Sequence, residues 1–230
     1  MRCIGAPVTR LPALPEMSVV AVISGARSGL GAAVYRSLLA SRVHCVPIVR
    51  APIDAPGETQ CIVNLASPHD WSAKLGPFLS HLAFERLWFF DIAAVLPLGG
   101  MIDDGAAGRL EEAMMVNVAN PLAIASALGS IARSRAASLD VVHVSSGAAD
   151  RAIPGWGAYC ASKAAARLGW QSLAEENADI CVHVFQPGVI ATAMQAHLRH
   201  AADPAAAPES MLRQPEDVAQ DLLAAAGFPI

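Results

Sequence analysis

This sequence has few charged residues and no concentration of positive charge. Only 16% of its 230 residues are Asp, Glu, Lys or Arg, and the formal net charge is −4 at pH 7. Proteins that bind nucleic acid usually present a basic patch or stripe, and no Lys/Arg run occurs here. A nucleic-acid partner is therefore not expected.

Long apolar runs are also missing, although 54% of the residues are hydrophobic. The stretches VVAVI at 19–23 and VVHV at 141–144 are strand-sized, whereas a membrane-spanning helix needs about 20 apolar residues. We therefore expect a soluble protein without a membrane partner. Two small domains would fit the length, but one compact domain over 17–230 is the simpler interpretation.

Paired cysteine motifs are absent as well. The cysteines are odd in number, scattered, and form no Cys-x-x-Cys pair. This usage favours reduced thiols in a cytoplasmic protein over a disulfide framework or a metal site. Residues 1–16 contain two arginines, three prolines and no continuous apolar stretch, which predicts a loose N-terminal extension rather than a signal peptide.

Short β-rich runs alternate with longer helical ones from residue 18 onward. This pattern predicts an α/β fold of the Rossmann type, a doubly wound parallel sheet of six or seven strands with helices on both faces. The predicted strands are 18–24, 43–49, 60–64, 86–93, 139–145 and 180–186, and the predicted helices are 29–41, 70–80, 107–134, 157–176 and 215–226. The Ala/Pro-rich segment 200–210 is either a lid or an ordinary surface loop.

A glycine-rich turn follows the first strand in the stretch VVAVISGARSGLGAAV. Gly25, Gly29 and Gly31 lead directly into a predicted helix. Such a turn lets the backbone pass close to a pyrophosphate while the N–H groups at the helix start face the anion. A turn without a ligand is the alternative, but the position after the first strand of a βαβ series favours a nucleotide.

Two arginines near this turn indicate which dinucleotide binds. NAD-binding folds usually carry an acidic residue at the end of the second strand, where it accepts hydrogen bonds from the ribose. Here that strand ends at Arg50, Arg27 lies in the glycine turn, and the next acid is Asp54. A cation pairs with a 2′-phosphate, so NADP(H) is favoured over NAD(H). Alternatively, both arginines are solvated surface charges.

Tyr159 and Lys163 are four residues apart in GWGAYCASKAAA, so they share one face of a helix. A free phenol has a pKa of about 10, and a fixed cation beside it favours the phenolate. We expect Lys163 to lower the pKa of Tyr159, and Tyr159 to act as a general acid. Taken alone, such a Tyr–Lys pair more often lies on a helix surface without a functional role.

Ser146 ends the strand DVVHVSS, at the sheet edge where open α/β folds bind ligands. Its hydroxyl can donate a hydrogen bond to a substrate carbonyl. The glycine turn, the Ser-Ser strand end and the Tyr-x-x-x-Lys pair, in this order, resemble the short-chain dehydrogenase/reductase family. The resemblance covers residues 18 to about 226.

The resemblance implies roles for further residues. Asn117 would disturb the central helix and hold a water that links Lys163 to solvent, although by itself it would more often be a helix defect or partial cap. Asn64 stands where relatives usually have an Asp beside the adenine. The implied catalytic set is Asn117, Ser146, Tyr159 and Lys163. The implied cofactor-binding residues are Gly25, Arg27, Ser28, Gly29, Leu30, Gly31, Arg50, Asn64, Leu65, Ala93, Tyr159, Lys163, Pro187, Gly188, Val189, Ile190 and Thr192.

The stretch FFDIAAV departs from the family pattern. Relatives carry Asn-Asn-Ala-Gly after this strand, where the present chain has Asp91, Ile92, Ala93 and Ala94. The side-chain role of the motif is expected to be lost, while the Ala93 backbone can still contact the cofactor ribose.

A narrower resemblance rests on SSGAADRAIPGWGAYCASKAA and PGVIATAMQ. Both are similar to the sepiapterin reductase and benzil reductase branch, whose substrates are vicinal dicarbonyls reduced with NADPH. Ser146, Trp156 and Tyr159 would then form the substrate pocket, unless Trp156 is only a packed aromatic. The sequence ends at GFPI after the helix 215–226, so the family's seventh strand is expected to be missing or rudimentary. The pterin-binding carboxylate of sepiapterin reductases lies in that missing region, which favours diketones as substrates.

These features predict an NADPH-dependent carbonyl reductase for a small-molecule carbonyl substrate, with Tyr159 as general acid. With the seventh strand missing, the helices 107–134 and 157–176 are the expected surface of a homodimer. A 3-oxoacyl dehydrogenase or a sugar or secondary-alcohol dehydrogenase of the same family is an alternative. The altered Asp91–Ala94 stretch and the short terminus also allow a non-catalytic NADP(H)-binding regulator.

Overall fold

The computed structural model describes residues 3–4, 19–54 and 60–229, which form one sheet with helices on both faces. The strands are β1 (Cys3–Ile4), β2 (Val19–Ser24), β3 (His44–Val49), β4 (Cys61–Ile62), β5 (Arg86–Asp91), β6 (Ser138–Val144) and β7 (Ile180–Phe185). The helices are α1 (Gly29–Ala40), α2 (Ser72–Ser80), α3 (Ala106–Met114), α4 (Asn120–Ser134), α5 (Gly157–Glu176), α6 (Ala193–His200) and α7 (Pro215–Ala226).

The six strands predicted from the sequence form the parallel part of the sheet, so the predicted fold class is confirmed. The strand order is β1-β7-β6-β5-β2-β3-β4, and every neighbouring pair except β1 with β7 is parallel. The chain runs outward from β2 in one direction and from β5 in the other. Open sheets of this kind bind ligands outside the carboxyl ends of the strands where the order reverses, which is here between β2 and β5.

The strands form because their residues are β-branched or aromatic and are covered on both faces. β2 reads VVAVIS and β5 reads RLWFFD, and in both only the first residue is partly exposed. Near-continuous apolar runs of this kind are typical of parallel strands between two helical layers. One core lies under α2, α4 and α5, around Phe89 and Trp170, and the other lies under α1 and α7, around Trp88 and Phe90.

The predicted helix 107–134 is interrupted. Between α3 and α4 a π-helical segment, Met115–Ala119, contains Asn117. By length and composition alone, Ala106–Ser134 could also cross a membrane, with a mean hydropathy of 1.4 over a window that is 44% buried. In the structure, Ile124 and Leu128 are fully buried in the core beneath the sheet, as in the core helix of a globular domain.

The N-terminal extension contributes to the sheet, which the sequence analysis did not predict. Cys3–Ile4 pairs antiparallel with β7, with Cys3 opposite His183. The seventh strand therefore comes from the beginning of the sequence, and none follows α7 among the described residues. The rest of the predicted extension, apart from these two residues, lies outside the described residues.

Candidate active site

The glycine turn after β2 has the shape that a bound pyrophosphate requires. Gly25 and Gly29 have φ angles of 77° and 53°, in the left-handed region that favours glycine. A Cβ on Gly25 would lie 2.9 Å from the Ala93 nitrogen, and one on Gly31 would lie 2.2 Å from the Gly25 oxygen. Ser28 at the start of α1 makes no side-chain capping bond, so the N–H groups of the first turn remain available to an anion.

A cavity of about 1050 Å³ opens at the carboxyl ends of the strands, beside this turn. All but one of the site residues predicted from the sequence line it, and the exception is Asn117. The lining residues from that set are Gly25, Arg27, Ser28, Gly29, Leu30, Gly31, Arg50, Asn64, Leu65, Ala93, Ser146, Trp156, Tyr159, Lys163, Pro187, Gly188, Val189, Ile190 and Thr192.

Both arginines line the cavity. Arg27 and Arg50 are both exposed, and neither forms an ion pair within the described part of the chain. Asn64 also lines the cavity, but its side chain is engaged in a local turn: Nδ2 donates to the Ser67 hydroxyl at 3.3 Å and Oδ1 accepts from the Ala66 N–H at 3.1 Å. Its contact with an adenine would have to compete with these bonds.

Backbone pairing fixes the Pro-Gly segment against the cavity. Gly188 has a φ angle of 73°, and Ile190 forms an isolated parallel bridge with Arg213. The Arg213 N–H donates to the Val189 oxygen at 3.0 Å, and its carbonyl accepts from the Ala191 N–H at 2.9 Å. This segment therefore presents Val189 and Ile190 at a defined place on the cavity wall.

Ser146, Tyr159 and Lys163 line the cavity and lie close together. Tyr159 and Lys163 are on α5, 6% and 3% exposed, and the Lys163 ammonium lies 5.9 Å from the centre of the Tyr159 ring. Burial raises the pKa of Tyr159, and a hydrogen bond with the Ser146 side chain lowers it. The net shift is upward, opposite to the lowering by Lys163 that the sequence predicted, because burial has the largest effect.

Lys163 itself is held by the end of β6. Its Nζ donates to the Val144 carbonyl at 2.9 Å. Burial lowers the pKa of Lys163, while the charge of Asp91 raises it. Burying the Lys163 ammonium here is therefore unfavourable, and whether Lys163 keeps its proton depends on the charge of Asp91.

Asn117 lies outside the cavity wall but is connected to the site. Its Oδ1 accepts from the Val95 N–H at 2.9 Å, and its Nδ2 donates to the Val95 carbonyl at 3.0 Å and the Ser162 hydroxyl at 2.9 Å. The side chain thus fixes the loop after β5 against α5. Its relay water remains a prediction.

The sequence analysis missed a buried group formed by Ser24, Asp91 and His143. His143 Nδ1 lies 2.7 Å from one Asp91 oxygen, and the Ser24 hydroxyl donates to the other at 3.3 Å. The same hydroxyl oxygen accepts from the N–H groups of Ile92 and Ala93, both at 3.0 Å. The Asp91–Ala94 stretch was expected to lose the side-chain role of the family motif. Its Asp91 side chain instead bonds His143 and Ser24. A histidine within the otherwise apolar VVHV strand was the available signal.

Trp156 forms part of the cavity wall beside Tyr159. The two rings meet edge to face, with centroids 6.0 Å apart, and Trp156 Nε1 donates to Asp203 Oδ2 at 3.0 Å. Leu198 of α6 is 1% exposed and belongs to the same apolar cluster. The segment 200–210 therefore borders the cavity, which Ala205 and Ala207 line. Its role as a lid stays a prediction. The sequence analysis assigned no role to the cavity-lining residues Glu112, Arg151, Gln186, Met194 and Gln195, although Arg151, Met194 and Gln195 lie within the stretches that carry the narrower resemblance.

Three potential metal ligands converge far from this cavity, toward the amino ends of the strands. Single ligand atoms of Asp140, Cys181 and His183 lie within 4.8 Å of one another. Both Asp140 oxygens accept from the Arg86 guanidinium, at 2.8 and 3.1 Å. A side-chain cation therefore already occupies this carboxylate.

The fold and the cavity define a dinucleotide-binding oxidoreductase with a Ser-Tyr-Lys site. A family model described as short chain dehydrogenase matches residues 83–203. The chain belongs to the short-chain dehydrogenase/reductase family, and it is an NAD(P)-dependent oxidoreductase.

Curated relatives agree with the branch predicted from the motifs. A benzil reductase ((S)-benzoin forming) of Bacillus subtilis is 25% identical over 190 residues, 77% of each chain. A sepiapterin reductase of Xenopus tropicalis is 40% identical over 93 residues, 40% of this chain and 36% of that protein. An uncharacterized oxidoreductase of Schizosaccharomyces pombe is 47% identical over 60 residues, and the match spans 26% of this chain and 24% of that relative.

Solved structures support the fold. The crystal structure of the KRED1-Pglu enzyme superposes with a TM-score of 0.78 at 24% identity, covering 92% of this chain and 95% of that one.

Proposed function

We propose that the protein is an NADPH-dependent carbonyl reductase of small vicinal dicarbonyl compounds, acting as a cytosolic homodimer. The observation that carries the proposal is the meeting of Ser146, Tyr159 and Lys163 in the same cavity that the glycine-rich turn lines. The benzil reductase and sepiapterin reductase relatives support the choice of substrate.

The residues present fit a nicotinamide dinucleotide. Gly25 and Gly31 leave room that a Cβ would fill, and the uncapped start of α1 offers N–H donors to a pyrophosphate. Arg27 and Arg50 supply positive charge where a 2′-phosphate would need it. A reduced nicotinamide supplies the hydride when it is bound.

The side chains then have separate tasks. The Ser146 hydroxyl holds the substrate carbonyl oxygen, and Tyr159 gives its phenolic proton to that oxygen. A raised pKa suits this direction, because Tyr159 stays protonated at neutral pH until the oxygen acquires negative charge. Lys163 lends positive charge to the site, and Asn117 with a bound water returns the proton from solvent.

The cavity wall around Tyr159 favours an apolar substrate. Trp156, Ala148 and Leu198 are buried together with Tyr159 in one apolar cluster, against which Ile153 packs. A flat aryl ring of the substrate can pack against Trp156. One of two adjacent substrate carbonyl oxygens can then lie within reach of Ser146 and Tyr159. Diketones with aryl groups therefore match the chemistry of this wall.

The direct test is steady-state oxidation of NADPH by the wild-type protein with benzil, simple ketones, 3-oxoacyl thioesters and sugar ketones. We expect the highest kcat/KM for benzil. A preference for another class would reassign the enzyme to the 3-oxoacyl or sugar alcohol dehydrogenases, while NADPH binding without turnover on any carbonyl would point to a regulator.

Replacing the two arginines tests the cofactor choice. Arg50→Ala and Arg27→Ala should each lower the NADPH-to-NADH ratio of kcat/KM by on the order of 10-fold, because each loses a charge-assisted contact with the 2′-phosphate. Arg36→Ala is the matched control, since Arg36 is exposed on α1 and paired with Glu216 outside the cavity. An unchanged ratio in both variants would contradict NADPH selection by these arginines.

A further inference from the structure

A buried aspartate–histidine pair lies at the carboxyl ends of β5 and β6, close to the site lysine. Asp91 and His143 are direct partners in the strand register. Their side chains are 3% and 1% exposed, and His143 Nδ1 is 2.7 Å from Asp91 Oδ2. Water is therefore excluded from both groups.

The hydrogen bonds fix the protonation of this pair. Burial lowers the pKa of His143, so its ring is neutral at pH 7. A neutral ring that donates through Nδ1 has its lone pair on Nε2, and Nε2 is buried without a hydrogen-bond partner among the described residues. The Ser24 hydroxyl oxygen accepts from two N–H groups and donates to Asp91 Oδ1. Both Asp91 oxygens thus accept hydrogen bonds, and with a neutral His143 ring the pair carries one negative charge.

Lys163 is the cation that interacts electrostatically with the Asp91 charge. Its ammonium is bonded to Val144, the residue that follows His143 in β6. The titratable groups facing Lys163 are Asp91 from β5, His143 from β6 and Tyr159 from its own helix, while Glu112 of α3 lines the same cavity. The π-helical segment Met115–Ala119 contributes no charge.

We propose that Asp91 is a positioning residue: its carboxylate, fixed by His143 and Ser24, is the buried counter-ion that keeps Lys163 an ammonium ion. The catalytic consequence rests on the proposed function, because a charged Lys163 is what supports proton transfer from Tyr159. The electrostatic claim itself holds in the protein without cofactor.

The chain offers a direct measurement, because it contains only two lysines, Lys74 and Lys163. Labelling lysine with ¹³C at Cε gives two resonances whose chemical shifts report the protonation of each amine. We expect Lys163 of the wild-type protein to keep the ammonium shift at pH 7.5. In Asp91→Asn, Lys163 should titrate at lower pH than in the wild type, while Lys74, exposed and paired with Asp70, should not change.

Asp140→Asn is the matched control, since Asp140 is also a buried aspartate bonded to a histidine, but at the opposite end of β6. It should leave the titration of Lys163 unchanged. If Lys163 is already neutral at pH 7.5 in the wild type, or titrates identically in wild type and Asp91→Asn, the proposal is overturned. A neutral Lys163 in the wild type overturns the proposal even if Asp91→Asn does not fold.

Kinetics separate this role from a merely structural one. Asp91→Asn should lower kcat/KM on the order of 10-fold at pH 8 and less at pH 6, where Lys163 regains its proton. A loss that is equal at both pH values, with an unchanged Lys163 titration, would show that Asp91 only supports the fold. If the wild type reduces no carbonyl at all, the proposed function fails, but the Lys163 titration still tests the counter-ion.

Discussion

Two buried aspartate–histidine pairs occupy opposite ends and opposite faces of the sheet. Asp91 pairs with His143 at the carboxyl ends, facing the α5 core, and Asp140 pairs with His183 near the amino ends, facing the α7 core. Asp140 also holds the Arg86 guanidinium through both oxygens. The same two residue types therefore form a structural network with an arginine in one place, whereas in the other their negative charge faces Lys163 at the candidate active site.

The largest expected effect is on the free energy of unfolding and concerns the Asp140–His183 pair. Asp140→Ala removes the partner of Arg86 and His183 and should lower the free energy of unfolding by about 2–3 kcal/mol, somewhat less than for a fully buried pair because Arg86 is partly exposed. Urea unfolding followed by circular dichroism measures this change. A loss below about 1 kcal/mol would show that Arg86 and His183 are adequately solvated without Asp140.

The second difference concerns acid pH. Burial lowers the pKa of His143 in the folded protein below the ordinary histidine value of about 6.5. Between the folded pKa and 6.5 the unfolded chain binds a proton that the folded protein does not, so stability falls as the pH drops below about 6.5, at up to about 1.4 kcal/mol per pH unit.

His143→Asn keeps a donor for Asp91 and removes this titration. Urea unfolding at pH 7 and pH 5.5 should therefore give a smaller difference for the variant than for the wild type. Equal differences would mean that His143 is not the group that destabilises the fold in acid.

The smallest expected effect concerns a third carboxylate, which is not buried with a histidine. Asp203, in the segment 200–210 that borders the cavity, accepts from the indole of Trp156. Asp203→Ala should raise KM for benzil by about fivefold and leave kcat nearly unchanged, because one neutral-donor hydrogen bond contributes about 1 kcal/mol. Asp203→Asn keeps an acceptor oxygen and should behave like the wild type. An equal effect of both variants would show that the charge of Asp203, and not its bond to Trp156, matters.

The sequence was sufficient for those parts of the molecule that depend on local patterns. Apolar runs such as RLWFFD define strands buried on both faces, and the turn with Gly25 and Gly31 can be recognised because no larger residue fits there. The Tyr159–Lys163 spacing places both side chains on one helix face. These features are set by residues close together in the chain.

Pairings over long sequence distances could not be predicted. Asp91 and His143 are 52 residues apart, and their contact depends on the register of β5 against β6. The Tyr159 pKa shift has the opposite sign to the prediction because the sequence does not show how deeply α5 buries the phenol. The edge strand Cys3–Ile4 was missed because two residues carry no periodicity.

The central claim is that Tyr159 donates the proton in carbonyl reduction, and Tyr159→Phe tests it most directly. The variant keeps the ring that packs against Trp156 and removes only the hydroxyl. We predict that NADPH oxidation with benzil falls on the order of 10³-fold, while NADPH binding, measured by fluorescence titration, is retained. Undiminished turnover with intact NADPH binding would contradict the account.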